Sequence, residues 1–243
     1  MKPVSISAAA PSGWHFFDAA YCISLASRPD RRESAAEQFK TVGLQDQVAF
    51  VIVEKHPTDT EQGIYESHLI CMTKGLAAGA RHILIFEDDI VFKGFSSQKL
   101  AQCTSFLDQN ARWRLFFLGS LVAGSQPTQS PGILKVDYRS LAHAYAIESS
   151  LAAELVKKKW HRKPFDVVLA EMPEDKFALY PSFAFQSDSA SDNERLKKLE
   201  LVRRLLGGLG FIQKMNERYH RHKAAIITGH LFILGALLWL YLR

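Results

Sequence analysis

At 243 residues, with 47% hydrophobic and 23% charged side chains, the chain has material for one large or two small globular domains and is not of disordered or fibrous composition. Its net charge of +5 is unevenly placed: nine Lys or Arg against two Glu between Arg195 and Lys223 make +7, which leaves the remainder slightly acidic and points to anionic lipid, not nucleic acid, as a partner. Cys22, Cys71 and Cys103 show no CxxC spacing and are odd in number, so neither a disulfide framework nor a zinc ribbon is expected, only buried thiols in a reducing compartment.

Met1–Trp14 lacks a sustained apolar core, and no signal peptide is expected there. The run Ala19-Ala20-Tyr21-Cys22-Ile23 reads as a first strand. It leads into Arg28-Pro29-Asp30-Arg31-Arg32, where Pro29 is suited to open a helix. A strand, a basic turn and a helix start can bind an anion, because helix-terminal amides and guanidinium forks both receive phosphate oxygens; the plainer alternative is a solvated turn. Gln47–Val53 reads as a second strand, and Gly63–Ala80 as a helix with an apolar face of Ile64, Leu69, Met72 and Leu76, stopped by Gly79. That helix carries Ser67 and His68, the latter as readily a structural hydrogen-bonder as a catalyst.

Four apolar residues, Ile83–Phe86, then run straight into Glu87-Asp88-Asp89. The apolar run suits a strand buried on both faces. Unpaired charge cannot stay buried, so the three acids are expected at the strand's carboxyl edge, where open α/β sheets bind ligands. They are either an acidic turn or hard-oxygen ligands for Mg²⁺ or Mn²⁺ with a diphosphate. Gln98–Asn110 reads as a helix and Arg114–Leu118 as a strand. Ala123–Gly132, rich in Gly, Ser, Gln and Pro, is expected to be a loop long enough to cover a site. A short strand at Ala142–Ile147, a helix from Ser149 to Lys159, an apolar segment holding the lone acid Asp166, and an edge-type strand at Ala178–Gln186 interrupted by Pro181 follow.

From Leu196 the apolar positions Leu199, Val202, Leu206, Leu209 and Ile212 recur at three- and four-residue steps among basic residues, as in a helix lying on an anionic leaflet or packed on the domain, with Gly207, Gly208 and Gly210 as a weak point. Ala224–Leu242 contains no charged residue and, at 1.5 Å per residue, is about 28 Å long, close to the hydrocarbon thickness. Lys214, Arg218, Arg221 and Lys223 precede it and only Arg243 follows, so a single-pass anchor with the larger part in the cytoplasm is expected.

Four segments taken together resemble the glycosyltransferase 25 family, which contains bacterial lipooligosaccharide galactosyltransferases and procollagen galactosyltransferases. They are Tyr21–Leu25 with Arg28–Arg32; Gly63-Ile64-Tyr65-Glu66-Ser67-His68; Leu84–Asp89; and Tyr180–Gln186 with Ser191-Asp192. The resemblance implies a GT-A-type, Rossmann-like α/β fold: a mixed, mostly parallel sheet flanked by helices. It also implies a nucleoside-diphosphate-sugar donor such as UDP-galactose or UDP-glucose, Mn²⁺ or Mg²⁺, and inversion at the anomeric carbon. Expected donor-binding residues are Ser24, Leu25, Arg28, Arg31, Arg32, Ser67, His68 and Asp88, and expected metal ligands are Glu87, Asp88 and Asp89. A single displacement needs a base for the acceptor hydroxyl, for which Asp166 and Asp192 are the candidates outside the metal cluster. The acceptor is expected to be a glycan or glycolipid such as lipopolysaccharide. Ser24 stands where the family usually has Asn, the Gly119–Asp137 region is atypical, and the terminal span is not a general family feature. The expected organisation is a transferase domain over 1–192, a basic amphipathic segment over 193–223 and a span over 224–242. A degenerate sugar-nucleotide- or carbohydrate-binding module and a membrane scaffold are the alternatives.

Overall fold

The structure, a computed structural model, describes residues 13–110, 112–173, 175–187 and 207–243. The first half is a parallel unit. Strand β1 (Ala19–Leu25) pairs in parallel with β2 (Val48–Val53) on one side and β3 (His82–Glu87) on the other. Helix α1 (Pro29–Val42), with Pro29 at its start and Gly43 in the left-handed conformation past its end, connects β1 to β2. Helix α2 (Thr60–Ala77) connects β2 to β3; Asp59 caps it by accepting from the Glu61 and Gln62 amides, and Gly79 at φ +73° turns the chain out of it.

The second half adds α3 (Ser97–Gln109), β5 (Trp113–Phe117), β6 (Leu121–Pro127), β7 (Ile133–Ser140), β8 (Ala144–Glu148), α4 (Ser149–Leu155), α5 (Phe165–Glu171) and β9 (Asp175–Leu179). The sheet order is β2-β1-β3-β8-β5-β9-β7-β6. Pairing directions make six of these eight strands run one way, with β7 and β8 opposed. This is the expected mixed sheet flanked by helices. A separate ribbon pairs β4 (Ile90–Phe92) with β10 (Ala184–Gln186), and α6 (Leu209–Tyr241) ends the described chain.

Both sheet faces are covered. Along β3, Leu84 and Phe86 enter one core with α1 and α3, while Ile83 and Ile85 enter the other with α2, α4 and α5. Alternate residues of a strand project to opposite faces, so an apolar run with no polar interruption is what a strand between two helical layers requires. The three cysteines are free and buried, in line with the sequence reading.

Two sequence expectations are corrected. Residues 123–132 are not a free covering loop: most of them belong to the β6–β7 hairpin at the sheet edge, where Gly124, Ser125 and Gln126 pair with Asp137, Val136 and Lys135. An edge strand tolerates such weak strand formers because only one of its sides must pair. Ala178–Gln186 is not one edge strand either. β9 lies between β5 and β7 in the interior of the sheet, β10 belongs to the ribbon, and Pro181 sits in the connection after a cis peptide bond. Pro cannot donate to a ladder, so the strand ends before it. The helix expected over Ser149–Lys159 ends at Leu155.

Candidate functional site

β1 is the point where the chain order reverses, since β2 lies to one side of it and β3 to the other. Outside the carboxyl ends of such strands an open sheet leaves a crevice. Here the crevice is a cavity of about 400 Å³ lined, among others, by Ser24, Leu25, Arg31, Ser67, His68, Glu87, Asp88, Asp89, Asp166 and Gln186. The sequence-predicted residues from four distant segments are therefore brought together, apart from Arg28, Arg32 and Asp192.

The basic turn divides. Arg31 points inward, its Nε 3.0 Å from Asp88 Oδ1 and its Nη2 2.9 Å from Asp89 Oδ2. Arg28 lies off the cavity wall and forks onto Asp30 at 3.0 and 2.9 Å. Arg32 also stays outside the cavity, donating to Ser24 Oγ and the Leu25 carbonyl at 3.4 Å each, and so braces the end of β1. Arg31 and Arg32 are successive helical positions and point about 100° apart, so they reach different targets, while Arg28 is the residue before the helix, with non-helical φ −121° and ψ 58°. Asp192 lies outside the described residues.

The acids are held by a long-range pairing. The β4–β10 ribbon puts Gln186 opposite Ile90, with its Nε2 3.4 Å from Glu87 Oε2 and 3.3 Å from Asp89 Oδ2. Burial first, then the charge of Asp166, pushes the Glu87 carboxyl up to about 7 against the pull of Arg31. Burial and then Glu87 push Asp89 up to about 7. Asp89 Oδ1 is buried without a hydrogen-bond partner among the described residues. Two crowded carboxylates at this depth titrate as a unit, and one of them readily keeps a proton near neutrality.

Behind them, Ser67 is committed to its own helix, donating to the Gly63 carbonyl at 2.6 Å. His68 is fully buried, stacks on Phe165 at 4.0 Å, and has Nδ1 3.0 Å from Tyr145 Oη and Nε2 3.5 Å from Glu87 Oε1. Burial, partly opposed by Asp166, drives its pKa down to about 3, so the ring is neutral and its approach to Glu87 is a polar contact without full ion pairing. Asp166, from the first turn of α5, lines the cavity and is also a brace: Tyr138 Oη donates to Oδ1 at 2.6 Å, the Ala142 amide to Oδ1 at 2.9 Å and the Leu141 amide to Oδ2 at 3.2 Å. It thereby holds the β7–β8 corner, where Leu141 adopts φ +78°. Tyr138, Tyr145 and Leu209 are parts of the site, or of the wall behind it, that local sequence pattern does not mark; only strand pairing and the return of α6 bring them in.

Among the described residues, no three His, Cys, Asp or Glu side chains form a ready metal cluster. Of the three expected metal ligands, Asp88 and Asp89 turn to Arg31, and Glu87 and Asp89 share Gln186.

The chain is 25% identical over 200 residues to the inactive glycosyltransferase 25 family member 3 of Mus musculus, covering 68% of this chain and 34% of that protein. It is 24% identical over 181 residues to the Homo sapiens protein of the same name, covering 62% and 30%. The chain resembles the glycosyltransferase 25 family. It spans about a third of the length of these curated relatives. No protein-family model matches it. Among solved structures, A197 from STIV aligns with a TM-score of 0.44 at 11% identity, covering 70% of this chain and 85% of that one. A glycosyltransferase involved in glycosylating the major capsid of PBCV-1 aligns with a TM-score of 0.43 at 12% identity, covering 75% and 99%.

Proposed function

We propose that the chain is a membrane-anchored glycosyltransferase that moves a hexose from a nucleoside-diphosphate sugar to a hydroxyl of a glycan or glycolipid. The observation that carries the reading is the cavity at the carboxyl ends of β1 and β3, with Arg31 and the Glu87–Asp89 acids on its wall. UDP-galactose or UDP-glucose is the proposed donor and a lipopolysaccharide-type glycan a suitable acceptor, on the family resemblance alone.

A divalent cation fits the chemistry of this wall. Six carboxylates (Glu54, Glu61, Glu87, Asp88, Asp89 and Asp166) face the cavity against two fixed cations, Arg31 and Lys55. A diphosphate would be repelled there without further positive charge. Mg²⁺-type sites take one or two carboxylates and complete their shell with phosphate oxygens and water, so a three-ligand protein cluster is not required. Asp89, with its unpartnered Oδ1, and Glu87 are the residues proposed to hold the ion. When bound, it would supply Lewis-acid stabilisation of the departing diphosphate. Arg31 then serves the diphosphate edge, and His68, Ser24 and Leu25 form the floor. For inverting displacement, Asp166 is proposed as base through Oδ2, which among the described residues receives one, longer hydrogen bond, from Leu141.

The proposed division is a transferase unit over 1–192, a basic connection over 193–223 and a span over 224–242. Among the described residues one helix, Leu209–Tyr241, is long and apolar enough to cross a membrane, and its apolar window is wholly unburied. The basic residues preceding the span favour a cytoplasmic transferase unit.

The test is a melting screen of the full chain in detergent against UDP-hexoses with and without Mn²⁺. A ligand at about a hundred times its Kd stabilises the native state by about 2.7 kcal/mol. A rise in midpoint that needs both one UDP-hexose and Mn²⁺ is expected. A flat response to every donor would leave the second reading, a degenerate module, which is favoured by the Arg31 fork closing on the acids that a cation needs.

A further inference from the structure

The docked part of α6 is turned the opposite way from what its composition suggests. Its inner face is polar: Gln213, fully buried, donates to the Ala184 carbonyl at 2.9 Å, and Asn216 both accepts from the Val122 amide and donates to the Val122 carbonyl at 2.9 Å. Glu217 accepts from the Ser182 amide at 3.1 and 3.2 Å. These side chains satisfy backbone groups of edge strand β6, of the β9–β10 connection and of the first residue of β10, so polarity is what docking here requires. The outer face carries Phe211, Met215 and Tyr219 at four-residue spacing, exposed by 54, 48 and 43%. Exposed Lys214 and Arg218 stand between them. Immediately beyond, His222 has non-helical φ −113° and ψ 17°, and the uncharged stretch begins at Ala224.

We propose that residues 209–221 are a membrane-surface helix whose outer stripe of Phe211, Met215 and Tyr219 seats in an anionic leaflet, with His222 the point where the chain turns from the surface into the span. Large apolar side chains flanked by Lys and Arg are the pattern of an interfacial helix. A solvent-facing apolar stripe continuous with a membrane span has the bilayer as its natural cover. Leu209, at the start of the same helix, lines the cavity. The seat therefore holds the cavity wall at the leaflet, about 20 Å or less along the helix from the entry into the span at 1.5 Å per residue. On the transferase reading proposed above, the acceptor is then a sugar carried on a lipid head group.

The test uses the full chain in phosphatidylcholine–phosphatidylglycerol vesicles, with spin labels on single cysteines placed at Phe211, Met215, Tyr219 and, as an aqueous control on α1, Glu33. The three stripe labels are expected to collide more with oxygen than with a water-soluble nickel chelate, and the Glu33 label the reverse. Replacing the phosphatidylglycerol by phosphatidylcholine is expected to shift the stripe labels towards water. Stripe labels as open to nickel as the control overturn the proposal. So do labels shielded from both reagents, which would mean that a second copy of the chain covers the stripe. The acceptor clause has its own arm: F211S/M215S/Y219S, which leaves the span intact, should lower transfer to a vesicle-borne oligosaccharide lipid about tenfold because the cavity is no longer held at the leaflet, with transfer to the same oligosaccharide free in water unchanged. Equal transfer to both acceptors by the intact chain refutes that clause, and so does an absence of transfer to either. The label measurements stand whether or not any sugar is transferred, so failure of the membrane seat and failure of the transferase reading are separable.

Discussion

Replacing Asp166 by Asn separates its two proposed roles. Asn keeps one oxygen for the Tyr138 hydroxyl and the Ala142 amide, now as a neutral acceptor, and turns an amide NH₂ towards the Leu141 amide that Oδ2 now receives at 3.2 Å. One hydrogen bond to a charged acceptor is lost and a donor faces a donor, at a cost of about 2 kcal/mol. In a chain of this size that lowers the melting midpoint by about 6 °C. The strain at Leu141 adds to the effect, because its left-handed backbone depends on the same carboxylate. Loss of a general base is expected to reduce transfer by a factor of about 100 or more, measured at a temperature where the variant is fully folded, with UDP-hexose binding retained. A midpoint within about 1 °C of the parent would refute the bracing role drawn from the three bonds. Unchanged turnover would refute Asp166 as base.

Three other outcomes follow from the same geometry. Because Glu87 and Asp89 are raised to about 7 from 4.5 and 3.8, the folded chain holds protons that the unfolded chain releases, so their stabilisation is present at low pH and is lost as pH rises through about 7. The melting midpoint should therefore fall between about pH 5 and pH 8, with the slope flattened in Asp89→Asn; a midpoint that rises across that window in the parent would contradict the assignment. Arg31→Gln leaves Asp88 and Asp89 without their fork, which should cost about 3 kcal/mol, read as a midpoint about 9 °C lower, and abolish UDP-hexose binding. In Gly119→Ala the new Cβ would lie 1.9 Å from the Ala184 carbonyl oxygen and 2.7 Å from Gln213 Nε2, so the start of β10 must shift and the Gln213–Ala184 hydrogen bond that helps dock α6 should break; faster proteolytic release of residues 209–243 than in the parent checks it, and unchanged release would sink it.

What could be read from the sequence was what short stretches decide alone. The unbroken apolar run of β3 ending in acids, Pro29 at the start of α1 and Gly79 after α2 are local statements, and the structure has each in its expected place. Which of the three arginines in Arg28–Arg32 faces the acids depends on where α1 begins and on its helical phase at the first turn, and composition does not encode that phase. The partners of Asp166 come from β7 and the β7–β8 corner, 24 to 28 residues earlier in the chain, and only the folded sheet delivers them. The hairpin over 121–140 was hidden because Gly, Ser, Gln and Pro are poor strand formers, yet an edge strand is stabilised by one neighbour and here also by α6 lying along it. That same contact sets which way α6 faces. Apolar periodicity assigns the inner face of a helix on the assumption that the surface beneath it is apolar. Here the surface beneath is the open backbone of an edge strand, which demands amides and carboxylates, and the apolar stripe is left facing outward next to a segment that is itself mostly apolar.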